Sequence, residues 1–245
     1  HSFFAIAISG FKRLLNIIAS SSTGGDSGSS NLTTDPATYS TVSGMTIKSK
    51  WFYSANTNNF PSQLTIANRG MTAYNGNVYI AQQGGALLEL NSETGELLRT
   101  ITLTGDCLTS SSGTSLSYAA NDVFVDGAGN LCVSNLANST TQPFTVCTVN
   151  TSTGATTRIL ETYLNTTSLE RIDYAAAYGN VTASGGQIWA AVASSDLVYR
   201  WTRNSSGSWT KESTTIGTYY PTGSASNNSV APRIMPISTT QFILD

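Results

Sequence analysis

Histidine, the side chain most often used as a general base, occurs once in this chain, at His1. A Ser-His-Asp or Cys-His arrangement needs an imidazole inside the folded domain, and His1 lies outside the repeated part of the sequence. An amino-terminal copper site would need a second imidazole. The chain also lacks a GxxxxGK[ST] phosphate loop and a GxGxxG dinucleotide motif. The sequence therefore argues against triad catalysis and nucleotide-dependent enzymes.

Three cysteines are the next candidates for chemistry. Cys107, Cys132 and Cys147 form no CxxC pair and have no histidine nearby, which argues against a zinc site. Cys132 and Cys147 fall on neighbouring predicted strands. The sequence is compatible with two alternatives: a disulfide between them, or two buried reduced thiols.

The elements that must position any site are short strands in a repeated unit. Residues 70–103 predict four strands, at 71–74, 78–82, 86–91 and 96–103, separated by turns rich in Asn and Gly. Units of the same kind are predicted near 68–105, 120–162, 180–216 and 230–245. In the second unit the strands are expected at 122–126, 131–135, 144–150 and 155–162. The repeat of about 55 residues with four strands each predicts an all-β fold, a β-propeller of four-stranded blades.

The second strand of each unit is apolar on both faces, as at Val78 and Ile80 or Leu131 and Val133. Such strands suit a sheet that is covered by a neighbour on each side, unlike a half-solvated sandwich strand. The fourth strands are more polar and are expected at the rim.

Three units and a partial one do not close a ring of ordinary size. We expect a fragment of a six- or seven-bladed propeller. The alternative is a closed four-bladed ring, in which strands from 45–67, predicted at 45–54 and 63–67, complete the blade that begins at Arg233.

The amino-terminal segment and the composition indicate export. Residues 1–22 resemble the end of a secretory signal, with an amphipathic helix as the alternative, and residues 23–44 form a Ser/Gly-rich linker before the 45–245 domain. Only 11% of residues are charged and the net charge is −2, which argues against a nucleic-acid surface. No apolar run reaches the ~20 residues of a membrane span. We expect a periplasmic, cell-surface or extracellular protein.

Segments 68–71, 122–146 and 197–209 resemble the blades of secreted or lipid-anchored β-propellers of uncharacterised function from Bacteroides-type bacteria. The resemblance spans residues 45–245 and rests on blade motifs that many propellers share. It implies an exported, envelope-associated protein and carries over no activity.

Two kinds of site are compatible with this architecture. Propeller hydrolases and lactonases can hold Ca²⁺ with carboxylate and amide oxygens in the central channel, and the candidate calcium ligands here are Asp122, Glu170 and Asp173. The competing interpretation is that Asp122 and Asp126 bracket a strand and its turn, and that Glu170 forms a solvated pair with Arg171. No EF-hand-like loop accompanies them.

The second kind of site binds a ligand without chemistry. Connections at 104–119 and 163–179 are expected at one end of the channel, and their tyrosines beside amide and charged groups suit a glycan or a peptide. Packing of the tyrosines between blades is the alternative. The candidate ligand-binding residues are Arg69, Tyr118, Asn121, Asn135, Arg171, Asp173 and Tyr174.

The sequence therefore predicts an exported, non-catalytic propeller that binds a glycan or a protein partner, or acts as a scaffold, at the cell envelope. It needs no cofactor in that role. The alternative is a calcium-dependent propeller hydrolase or lactonase. The oligomeric state stays open.

Overall fold

The computed structural model describes residues 40–42, 45–47, 51, 62–64, 67–164, 170–216 and 231–244. This part of the chain is all-β and contains no helix. No helix within it is therefore long and apolar enough to cross a membrane. The strands are β1 Ser40–Val42, β2 Met45–Ile47, β3 Asn68–Tyr74, β4 Asn77–Gln82, β5 Ala86–Asn91, β6 Leu97–Thr102, β7 Thr104–Gly105, β8 Asp122–Val125, β9 Leu131–Ser134, β10 Phe144–Val149, β11 Ala155–Thr162, β12 Ala175–Tyr178, β13 Gln187–Ala191, β14 Leu197–Arg203, β15 Trp209–Thr215, β16 Ile234–Pro236 and β17 Phe242–Leu244.

Consecutive strands form successive antiparallel sheets. The first sheet has the order β3-β4-β5-β6, the second β8-β9-β10-β11 and the third β12-β13-β14-β15. Strand β7 adds to the second sheet in parallel to β11. Strands β16 and β17 form a two-stranded fourth sheet, and β1 pairs with β2. In the first two units the predicted order of four strands is confirmed, and the predicted bounds agree to within a few residues.

Turn chemistry sets the register of these hairpins. Between β3 and β4 the chain turns on Asn75 and Gly76, with φ of 46° and 80°. Positive φ at both central residues matches the right-handed twist of the strands, and an Asn-Gly pair tolerates it best. Tyr74 is consequently paired with Asn77 across a two-residue turn.

Apolar side chains fill the spaces between successive sheets. Between the first and second sheets lie Tyr79, Leu87, Ile101, Val123, Val133 and Cys147. Between the second and third lie Phe144, Val146, Leu160, Ile188, Tyr199 and Trp201. Between the third and fourth lie Trp189, Ala191, Val198 and Ile234, with Phe242 and Leu244 partly buried beside them. The prediction that second strands are buried on both faces is confirmed, because β9 and β13 are buried throughout.

The other face of the first sheet is covered by the chain that precedes it. Trp51 packs beside buried Leu64, Val78 and Leu88. Its indole Nε1 donates to the carbonyl oxygen of Ser92 at 2.9 Å. The strand β2, which the four-bladed alternative assigned to the last sheet, pairs instead with β1.

The disulfide alternative is wrong. Cys132 is opposite Thr148 and Cys147 is opposite Val133 in the β9–β10 pairing. Because neighbouring residues on a strand point to opposite faces, the two thiols enter different apolar clusters. All three cysteines are buried and free.

Two further strand predictions need correction. The first strand of the third sheet is Ala175–Tyr178, within the segment predicted as a connection, so this unit begins before residue 180. Its run of alanines carries no strand signal. The strand predicted at 63–67 is not formed at Gln63, Leu64 or Ala67. The predicted signal-like segment 1–22 and most of the linker lie outside the described residues.

Candidate binding site at the first strands

Each of the four sheets contributes one residue near the start of its first strand. Gly70 is the third residue of β3, Asp122 begins β8, and Tyr174 and Arg233 directly precede β12 and β16. First strands of successive sheets lie side by side, as shown by the Gly70 amide, which donates to the Asn121 carbonyl at 3.0 Å. The four positions therefore lie close together.

Asp122 is the charged group at the centre of this arrangement. Its side chain is only 2% exposed. Oδ2 accepts a hydrogen bond from the Ala175 amide of the third sheet at 3.0 Å, whereas Oδ1 is buried without a hydrogen-bond partner among the described residues. Burial raises the pKa of Asp122 to about 6, against a smaller lowering by the Arg233 guanidinium.

Arg233 supplies the opposite charge. Its guanidinium carbon lies 3.9 Å from the centre of the Tyr174 ring, a cation–π contact that fixes the plane of the group. Nε and Nη2 form the fork edge of the guanidinium, and both are buried with no hydrogen-bond partner in the described part of the chain. The site thus holds a buried acceptor and two buried donors that have no hydrogen-bond partner among the residues that the structure describes.

The lack of a side chain at Gly70 leaves the space that the Asp122 carboxylate occupies. A Cβ atom at residue 70 would lie 1.8 Å from Oδ1 of Asp122 and 2.7 Å from its Cα. No side chain fits there without displacing the buried carboxylate.

A polar network continues from Asp122 to the surface. The Asn121 side chain donates to the carbonyl oxygen of Asp173 at 2.6 Å and accepts from Nε2 of Gln83 at 2.7 Å. Arg171 binds both carboxylate oxygens of Asp173, at 2.7 and 2.6 Å. This hydrogen-bonded pair raises the pKa of Arg171, and nearby Tyr118, an exposed aromatic side chain, contributes to it. The rim therefore carries an aromatic group and a fixed guanidinium.

The structure brings together five of the residues chosen from the sequence, namely Tyr118, Asn121, Arg171, Asp173 and Tyr174. Arg69 is exposed on β3 at the irregularity between Asn68 and Met71. Asn135 has a different role: its amide donates to the Pro143 carbonyl at 2.9 Å and accepts from the Thr145 amide at 2.8 Å. It thereby closes the β9–β10 connection.

The three candidate calcium ligands are engaged in different contacts. Both oxygens of Asp173 accept from Arg171. Glu170 accepts from the Tyr199 hydroxyl at 2.7 Å. Within the described residues, no three His, Cys, Asp or Glu side chains are grouped as metal ligands.

Sequence reasoning missed Arg233, Gly70 and Gln83 as site residues. A signal for Gly70 existed, because Asn121 and Asp173 are 52 residues apart and the same step relates Gly70 to Asp122 and Asp122 to Tyr174. Aligning the repeat on the first strands, rather than on the second-strand turns, would have placed Gly70, Asp122 and Tyr174 in register.

Comparison of the chain with protein-family models, with curated proteins and with solved structures finds no match.

Proposed function

We propose that this chain is an exported β-propeller whose successive sheets are blades, and that it binds a glycan at the first-strand site without catalysing a reaction. The propeller arrangement is supported by the order of contacts. Each sheet covers the next, and the first strands of neighbouring sheets lie side by side. A channel mouth is where propellers and other closed scaffolds usually bind ligands.

The single observation that carries the binding proposal is the pair of unpartnered groups at the site. Asp122 Oδ1 accepts, and Arg233 Nε and Nη2 donate. A hydroxyl group is complementary to both kinds of group, because it donates one hydrogen bond and accepts another. The two charges offset each other, so a neutral polyhydroxylated ligand matches the site better than an ion.

The rim supports the same ligand class. Tyr118 is 37% exposed and lies near Arg171, whose guanidinium is held by Asp173. Aromatic faces pack against the CH surfaces of sugars, and fixed polar groups beside them set orientation. Export is supported by the low charge content and by the apolar segment followed by a Ser/Gly-rich linker. A cell-envelope polysaccharide is therefore the proposed ligand.

A glycan array followed by calorimetry with the purified chain tests this proposal. We expect binding to neutral glycans and at least a tenfold loss of affinity in Arg233→Met and Asp122→Asn, since each leaves a buried group unpaired in the complex. Arg203→Met removes an arginine elsewhere in the third sheet and serves as the matched control. All variants are first compared by urea unfolding.

Two results would overturn the proposal. One is glycan binding that the Arg233 and Asp122 substitutions leave unchanged. The other is hydrolysis of a bound glycan or lactone that Asp122→Asn abolishes, which would favour an enzyme.

A further inference from the structure

Ser134 adds another buried polar group to the surroundings of Asp122. The two residues are directly opposite each other in the β8–β9 pairing, and cross-strand partners point to the same side of a sheet. Ser134 is 1% exposed, and its Oγ has no hydrogen-bond partner among the described residues. A hydroxyl group can donate to an ionised carboxylate or accept from a protonated one. Ser134 is therefore compatible with both protonation states of Asp122.

The charge around Asp122 comes from the neighbouring sheets. The charged and titratable residues that flank it there are Arg69, Arg171, Asp173, Tyr174 and Arg233. Arg233 favours the ionised carboxylate and Asp173 opposes it, but burial outweighs both and raises the pKa of Asp122 to about 6. Arg171 offsets the charge of Asp173, because it binds both oxygens of that carboxylate. Asp122 and Arg233 therefore decide the net charge of the site.

The Arg233 guanidinium has the geometry that binds a carboxylate. Nε and Nη2 are neighbouring donors in one plane, and both are buried without a hydrogen-bond partner in the described part of the chain. The Tyr174 ring fixes that plane. A carboxylate can accept one hydrogen bond at each oxygen from this edge, which is the strong bidentate arrangement.

The protonation state of Asp122 decides whether a second carboxylate is tolerated. While Asp122 is ionised, an acidic ligand would place two negative charges beside one guanidinium. Oδ2 accepts from the Ala175 amide at 3.0 Å, so an added proton resides on Oδ1, the oxygen that has no partner among the described residues. The protonated group then donates a hydrogen bond where it previously repelled the ligand.

We propose that the first-strand site selects its glycan by pH, binding uronic acid residues when Asp122 is protonated and neutral sugars when Asp122 is ionised. This inference rests on the proposed glycan binding. In the acidic complex the sugar carboxylate accepts hydrogen bonds from Nε and Nη2 of Arg233 and from the carboxyl group of Asp122. Binding of the carboxylate is thereby coupled to the uptake of one proton, and no covalent bond forms or breaks.

Glucuronate and glucuronamide are the matched probes, because they share one sugar ring and differ in the charge of one group. An ordinary sugar carboxylate stays ionised at pH 5, and the neutral amide can donate to an ionised Asp122 and accept from Arg233. Binding is followed by NMR titration of the isotope-labelled full chain, read at the amide of Ala175, which contacts Asp122.

The expected change in affinity follows from the protonated fraction of Asp122. With a pKa of about 6, this fraction falls from about nine tenths at pH 5 to about one hundredth at pH 8. The dissociation constant of glucuronate should therefore rise at least tenfold between these pH values, whereas that of glucuronamide should not rise. At pH 5 glucuronate should bind saturably, with a dissociation constant below about 10 mM.

Three variants assign the effect to the two charged groups. Asp122→Asn imitates the protonated form, so it should bind glucuronate equally at both pH values and, at pH 8, at least tenfold more tightly than the wild type does. Glu96→Gln neutralises an exposed carboxylate of the first sheet and should retain the wild-type pH dependence. Arg233→Met should lose the binding of glucuronate at pH 5.

The inference is overturned if glucuronate binds no more tightly at pH 5 than at pH 8, or if its pH dependence persists in Asp122→Asn. In either case, glycan-array binding that still requires Arg233 would leave the proposed function in place. Absence of binding by both probes and on the array would overturn the inference and the proposed function together.

Discussion

Replacing Gly70 by alanine adds only one methyl group, yet it tests the geometry of the first-strand site severely. The added methyl group would lie 1.8 Å from Oδ1 and 2.7 Å from Cα of Asp122. The side-chain oxygen cannot turn away freely, because Oδ2 of the same carboxylate holds the Ala175 amide at 3.0 Å. The second of the two clashes is with a backbone atom, so β3 and β8 must also separate.

The size of the effect follows from these two clashes. Losing a hydrogen bond to a buried charged group destabilises by about 1.5–3 kcal/mol. Forcing an extra methyl group into a closely packed position costs about 1–3 kcal/mol in addition. We therefore expect Gly70→Ala to lower the free energy of unfolding by about 2.5–6 kcal/mol, which is a large part of the stability of an ordinary domain.

Urea unfolding followed by tryptophan fluorescence measures this difference, with Gly84→Ala as the matched control. Gly84 lies in the β4–β5 turn of the first sheet and lacks a positive φ, and a methyl group added to it would meet no atom within 4 Å. The control should change stability by less than about 1 kcal/mol, in the stabilising direction if at all. A Gly70→Ala protein within about 1 kcal/mol of the wild type would refute the close packing of the first two sheets.

Three further predictions concern stability and thiol reactivity. Because the pKa of Asp122 is raised from 3.8 to about 6, its burial should cost about 3 kcal/mol of stability as pH rises from about 3 to about 7, and Asp122→Asn should remove that fall in urea titrations at several pH values. Asp126 accepts hydrogen bonds from three backbone amides, so Asp126→Ala should destabilise by at least about 3 kcal/mol, against little change for half-buried Asp196→Ala. All three cysteines are free and buried, so a thiol reagent should modify them only as fast as the chain unfolds; rapid labelling of native protein would contradict their burial.

The repeat of strands could be read from the sequence because turn residues and two-faced apolar strands are local signals. Asn75 and Gly76 define their turn by backbone preference alone. The strand Ala175–Tyr178 could not be read in this way, because alanine has no preference for strands and the neighbouring sheets determine its conformation.

The site was predictable only in part for a related reason. Asn121 and Asp173 were among the candidate ligand-binding residues chosen from the sequence, but so was Asn135, whose side-chain amide is used within its own hairpin. Arg233 was missed because its role depends on its interactions with Tyr174 and Asp122, which belong to two other sheets. Such long-range pairing leaves no local pattern in the sequence.

The ionisation of Asp122 is the most direct test, since it depends on residues from separate sheets meeting at one place. Carbon-detected NMR titration of the aspartate carboxyl groups, assigned with Asp122→Asn, measures its pKa. We predict a value of about 6 and a further rise in Arg233→Met, because the guanidinium favours the charged carboxylate. A pKa near the ordinary 3.8, or one that the Arg233 substitution leaves unchanged, would contradict the convergence of the first strands.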